Sequence, residues 1–175
     1  MTKWLELLAA WNARMDLTAA RGDDELADLM LADALLLAQH VPEKARVVDV
    51  GTGAGAPGLA LALVRPDLAV TLVEPLAKRV SFLRTVIGTL ARTDVALVRG
   101  KGESVAGEWD VAISRATLAP AAWIPLGLRL AKATWVLLAR EEPPAIEGAR
   151  IDADIAYAWP LTGAGRRAVR YSRAA

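Results

Sequence analysis

The chain has 175 residues, 54% of them hydrophobic and only 5% aromatic, with a formal net charge of +1, no Cys and one His. That length holds one full core and not two of ordinary size. The lack of Cys excludes disulfides, thiolate metal sites and a cysteine nucleophile, and one His removes most zinc sites, so no metal is expected. The start, Met1-Thr2-Lys3-Trp4, lacks the basic and then apolar layout of a signal peptide. The most apolar run, Leu29 to Ala38, is broken by Asp33 and too short to span a bilayer, so a soluble cytoplasmic protein is expected.

Trp4, Leu8, Trp11 and Met15 fall at helical spacing and predict an amphipathic helix over residues 2–15. Arg21-Gly22 breaks the chain, and Asp23 suits the N-cap of a second helix running to about Gln39. His40 at its end could meet free helix carbonyls. Together these form a helical cap, residues 1–42, ahead of a main domain over 43–175. From Val47 onward strand and helix alternate, the signature of a parallel sheet covered on both faces. Strands are predicted near 46–50, 69–73, 95–98, 109–113 and 134–139, and helices near 57–64, 77–91 and 116–131. Pro120 and Pro125 should kink or split the last of these. Ile151–Trp159 and Ala168–Tyr171, joined by Thr162-Gly163-Ala164-Gly165, predict a terminal β-hairpin.

The stretch from Asp49 to Gly58 reads as a strand end, a glycine loop and a helix start, with Pro57 in the first turn. Gly53, Gly55 and Gly58 satisfy G-x-G-x-x-G, which fits NAD or FAD. Asp49 argues otherwise, because a carboxylate at the strand end repels a pyrophosphate but attracts the ammonium and sulfonium of S-adenosylmethionine. Glu74, at the end of the second strand, is placed to accept both hydroxyls of a ribose. The cofactor-binding candidates are therefore Asp49, Gly51, Thr52, Gly53, Gly55 and Glu74; in the plainer alternative the two acids cap the loop and the next helix.

Ligands of open α/β sheets bind beyond the carboxyl ends of the strands, a rule that adds Gly102, Glu103, Ser114 and Arg115. Gly102 could let the chain approach a flat adenine, and Glu103 could accept from its amine; an ordinary turn is the alternative. Arg115 keeps its charge and suits a cofactor carboxylate, the substrate, or a surface ion pair. Lys78 and Arg79 read as a solvated helix face. Beyond Ile155 there is no acid, and Arg166, Arg167, Arg170 and Arg173 could contact RNA phosphates or protect an edge strand.

Trp11-Asn12 with Leu17-Thr18, the run Asp49 to Gly58, Lys78-Arg79 with Phe82-Leu83, and Ile113-Ser114-Arg115-Ala116 occur in one order over most of the chain. In this it resembles the bacterial 16S ribosomal RNA guanine-N7 methyltransferases, the glucose-inhibited division protein B family. The resemblance implies a Rossmann-like class I methyltransferase fold, α/β with a mostly parallel seven-stranded sheet. It also implies S-adenosylmethionine as cofactor, contacts to it at Gly51, Ala56, Gly102, Glu103 and Arg115, and 16S ribosomal RNA or the small ribosomal subunit as partner; a monomer is expected. The chain departs from the family at Asp16, Met30 and Lys101, at Ala139-Arg140-Glu141, and in a shorter helical start. A relative that methylates a small molecule or another RNA, or a module that binds the cofactor without turnover, stays open on these departures.

The inventory also narrows the chemistry. Methylating a pyrimidine carbon normally needs a cysteine, and methylating an exocyclic amine often uses an Asp/Asn-Pro-Pro-aromatic motif where this chain has Ser114-Arg115-Ala116. Guanine N7 carries an in-plane lone pair free at neutral pH, so positioning by groups such as Ser114 and Arg115 suffices and no catalytic base is assigned.

Overall fold

Chain reversals and strands fall where the aliphatic runs place them. The computed structural model describes residues 1–20, 22–139 and 141–174; Arg21 of the expected chain break and Arg140 of the family departures lie outside them. Seven strands form one sheet in the order β3-β2-β1-β4-β5-β7-β6. They are β1 (Arg46–Val50), β2 (Ala69–Glu74), β3 (Ala96–Arg99), β4 (Trp109–Arg115), β5 (Ala131–Leu138), β6 (Ala149–Ala158) and β7 (Gly165–Arg173). The first five run parallel, whereas β7 pairs antiparallel with both β5 and β6. Strand order reverses where β1 lies between β2 and β4, and a crevice opens at such a point beyond the strand ends.

Alternate residues of β1 feed opposite faces of the sheet. Val47 joins a cluster with Trp4 of α1 (Thr2–Met15), Leu37 of α3 (Asp33–Leu37), Leu59 of α4 (Gly58–Val64) and Phe82 of α5 (Ala77–Thr89). Val48 and Val50 join the other cluster, with Trp123, Ile124 and Leu128 of α6 (Pro120–Leu130). The helical cap therefore shares its core with the sheet. Trp11 of α1 meets the Phe82 ring edge-on at 5.5 Å, and Trp4 donates its indole N–H to Ala54 O in the glycine loop at 3.1 Å.

Four local outcomes differ from expectation. The second helical segment comprises α2 (Asp23–Ala27), a π turn over Asp28–Ala32, and α3. Pro57 is the N-cap of α4, which begins at Gly58. The last helix starts at Pro120, where a missing N–H costs nothing, and carries Pro125 inside one unsplit element. At the end of α3 the free carbonyls of Ala38 and Val41 accept from Arg65, not from His40, whose ring lies 5.9 Å from that of Trp135. An arginine presents several donors in one planar fork and outcompetes a lone imidazole for clustered carbonyls. Among the described residues, no helix is long and apolar enough to cross a membrane.

Candidate active site

The glycine loop leaves β1 with Gly51, Gly53 and Gly55 all at positive φ (73°, 62° and 108°), a region that favours residues without a Cβ. Close packing adds to this at Gly51, where a Cβ would lie 2.0 Å from the Thr117 hydroxyl. Asp49 is fully buried behind the loop, and its Oδ2 accepts the Gly58 N–H at 2.8 Å, one of the donors left free at the start of α4. Burial pushes its carboxyl up to about 6, a rise that this N–H partly offsets. Its Oδ1 and the Thr52 hydroxyl are buried with no partner among the described residues.

Glu74 is also buried, but it lines the cleft. Oε2 accepts from the Gly53 N–H at 3.0 Å and Oε1 from the Leu76 N–H at 2.9 Å, so both oxygens are held in place, each with acceptor capacity to spare. Arg79 Nη1 stands 3.9 Å from Oε2, with its Nε buried and without a partner among the described residues. Lys78 donates to Met15 O at 2.9 Å, at the end of α1. The pair expected to form a solvated face thus fastens the cap and faces the cleft.

Around these groups lies a cleft of about 520 Å³, walled by the loop residues Gly51–Ala54 and Ala56, by Glu74–Leu76 with Arg79, and by Leu17–Ala19, Leu29 and Met30 of the cap. Asn12 shapes the cap wall: its side-chain oxygen accepts the N–H groups of both Leu17 and Thr18, at 2.6 and 2.9 Å. Arg115, Ala116 and Thr117 close the far side. These same three residues, with Leu29, also border a second cleft of about 480 Å³ beyond the ends of β4 and β5, walled further by Asp33, Ser114, Trp123, Trp159 and Arg166.

The sequence-derived candidates divide accordingly. Gly51, Thr52, Gly53, Ala56, Glu74 and Arg115 meet in the first cleft. Asp49 and Gly55 lie behind it, Gly55 against Leu59 and Trp4. Gly102 is buried where a Cβ would meet Val50 at 2.6 Å, and Glu103 points to solvent; their carbonyls accept from Arg129, and neither residue is on a cleft wall. Ser114 borders the second cleft, with its hydroxyl donated to Val50 O at 2.9 Å. Of the four tail arginines, Arg167 is bound to Asp154 and Glu142, Arg170 lies 3.5 Å from Asp152, and Arg173 donates to Leu128 O. Arg166 borders the second cleft, its guanidinium 3.7 Å above the Trp159 ring.

Asp33, absent from the candidates, borders the second cleft and ties Arg115 to the hairpin. It is 2% exposed and accepts from Tyr157, Trp159 and Arg115, at 2.7, 2.9 and 2.9 Å. A carboxylate interrupting the most apolar run of the chain was the available signal.

The sequence model of the GidB family, described as rRNA small subunit methyltransferase G, matches residues 1–151. The chain belongs to that family. It is 33% identical to ribosomal RNA small subunit methyltransferase G of Anaeromyxobacter dehalogenans, over 99% of this chain and 87% of the relative. With the Mycobacterium leprae protein of the same name identity is 43%, over 67% of this chain and 49% of that longer protein, so this match spans about half the relative's length. A methyltransferase from Pyrococcus furiosus superimposes with a TM-score of 0.68 at 16% identity, covering 99% of this chain and 98% of that one, a likeness of fold. Family membership makes the chain a methyltransferase with S-adenosylmethionine as methyl donor.

The first cleft fits that donor on its own chemistry. An acid with both oxygens held, on one side, and a permanent cation on the other match a molecule that carries ribose hydroxyls in its nucleoside half and a carboxylate at its amino-acid end. Leu76, 45% exposed beside Glu74, offers an apolar surface suited to a flat base.

Proposed function

We propose that this chain methylates N7 of a guanine in 16S ribosomal RNA within the cytoplasm. The observation that carries the reading is the pair of adjoining clefts with Arg115 at their shared wall. Glu74 would take the ribose hydroxyls, loop N–H groups and Arg115 the amino-acid end, and the second cleft the acceptor base. When bound, the cofactor supplies an electrophilic methyl group. What the chain's residues then do is orient and exclude water: Arg166 on Trp159 offers a cationic plane on which an unstacked base can lie. The lone pair of N7 needs no proton removed, which agrees with the absence of an assigned base. An arginine bonded to N7 would block that atom, so Arg166 serves by stacking and by charge toward phosphate, not by reading the N7 edge.

The test is transfer of labelled methyl from S-adenosylmethionine to 16S ribosomal RNA and small subunits from cells lacking this modification, with Gly53→Asp as control. Label at one guanine N7, absent in the control, is expected. Cofactor binding without label on any ribosomal substrate would instead favour a small-molecule or other RNA acceptor.

A further inference from the structure

The π turn over Asp28–Ala32 has a geometric effect on two buried acids. An i→i+5 turn brings residues five apart toward one face, which an α-helix does not do, and Asp28 and Asp33 are five apart. Both reach the β6–β7 hairpin. Asp28 accepts from the Leu161 and Thr162 N–H groups and the Thr162 hydroxyl, while Asp33 Oδ1 accepts from Tyr157 and Trp159. Burial, together with the Asp33 charge, holds the Tyr157 phenol above its ordinary range, so it stays a donor. The two oxygens of Asp33 are used differently: Oδ1 ties down the hairpin, and Oδ2 accepts from Arg115 Nη1 at 2.9 Å. The same Nη1 donates to Leu29 O, inside the π turn.

With Nη1 committed twice, the Nε and Nη2 edge of Arg115 has no partner among the described residues. That edge carries the two parallel N–H groups which bind a carboxylate bidentately. We propose that Asp33 is a positioning residue: by pinning Nη1 it presents the Nε/Nη2 edge of Arg115 to the carboxylate of the cofactor's amino-acid end. This rests on the reading of the first cleft as the cofactor site. Orienting the fork before binding removes the loss of side-chain freedom that a loose arginine would bring to the complex.

Calorimetric titration with S-adenosylhomocysteine, alongside thermal melting, tests it. In Asp33→Asn the amide oxygen can still accept from Tyr157 and Trp159, which turns the amide NH₂ against Arg115 Nη1, donor facing donor. Kd is expected to rise about tenfold. Arg115→Ala should raise it at least as much, and the double variant should be no worse than Arg115→Ala alone, because Asp33 acts through Arg115. Tyr157→Phe, which loosens only the hairpin side, should lower Tm and leave Kd within about twofold. Asp33→Glu restores the charge one methylene out of place, and should recover part of the affinity.

Wild-type Kd retained in Asp33→Asn, additive losses in the double variant, or a loss in Tyr157→Phe equal to that in Asp33→Asn would each overturn the proposal. Should Asp33→Asn not fold, Asp33→Glu is read against the wild type: a raised Kd there with Tyr157→Phe within about twofold of wild type supports the proposal, and a wild-type Kd in Asp33→Glu, or an equal loss in Tyr157→Phe, overturns it. Failure of the wild type to bind would overturn the cofactor site itself, and the proposal with it, a result distinct from binding that is indifferent to Asp33.

Discussion

The two clefts that meet at Arg115 are built on different plans. The first has a local floor, made of one loop, the end of the neighbouring strand and the two residues after it and shaped by backbone N–H groups and close glycine packing, over which the cap and the end of β4 close. The second is assembled from the π turn, the ends of β4 and β5, and a hairpin more than a hundred residues further on, held together by the buried carboxylates of Asp28 and Asp33. A cleft made of backbone tolerates little change in shape. A cleft made of side chains from distant segments depends on the polar groups that clamp those segments, and has more room to vary with the acceptor.

The contrast predicts unequal responses. The largest expected effect is at Gly58, where an added Cβ would lie 2.5 Å from Asp49 Cβ and 2.7 Å from Leu72, both buried. Gly58→Ala should cost about 3 kcal/mol in chemical denaturation.

Next comes Asp49, whose native carboxyl is raised to about 6 from 3.8 by burial. Between those values the folded chain binds more protons than the unfolded one, so the contribution of Asp49 falls as pH rises through this window, by about 2–3 kcal/mol in all. Denaturation curves at pH 4 and pH 7 should show this slope in the wild type relative to Asp49→Asn, which does not titrate. Equal slopes in the two proteins would mean that Asp49 is not held in its protonated form.

Glu74→Gln should follow. One of two backbone donors, at Gly53 or Leu76, would then face an amide NH₂ in place of an oxygen. The resulting loss of about 2 kcal/mol falls on folding stability, and an amide that offers the ribose hydroxyls one oxygen in place of two should raise cofactor Kd about tenfold. The smallest effect belongs to the second cleft. Arg166→Ala should raise the KM for ribosomal RNA about tenfold with cofactor Kd unchanged, whereas Arg167→Ala should leave both within about threefold. Equal effects of the two arginines would erase the distinction between the one that faces a cleft and the one paired within the hairpin.

What could be read in advance follows the same division. The strand–loop–helix run and Glu74 were legible because aliphatic periodicity and glycine spacing are local signals, and they put Gly51, Thr52, Gly53, Ala56 and Glu74 on one cleft wall. The five parallel strands and the hairpin were legible for the same reason. The roles of Asp33 and of the Tyr157–Trp159 segment were not, since nothing local tells a carboxylate in an apolar helix which residue it will meet 124 positions away. The tail arginines read as a basic patch because their partners Glu142, Asp152 and Asp154 precede the acid-free segment and become neighbours only once β6 and β7 pair. Gly102 and Glu103 followed a strand end, but the short 3₁₀ turn at Gly102–Ser104 packs Gly102 under Val50 and leaves Glu103 in solvent.

The most direct test of the division of labour between the clefts is a crystal structure of the chain with S-adenosylhomocysteine. The account predicts density along the glycine loop, with the ribose at Glu74, the carboxylate at Arg115, and the cleft between Trp159 and Ser114 left open. Density against Trp159 and Arg166, with the glycine-loop cleft empty, would contradict it.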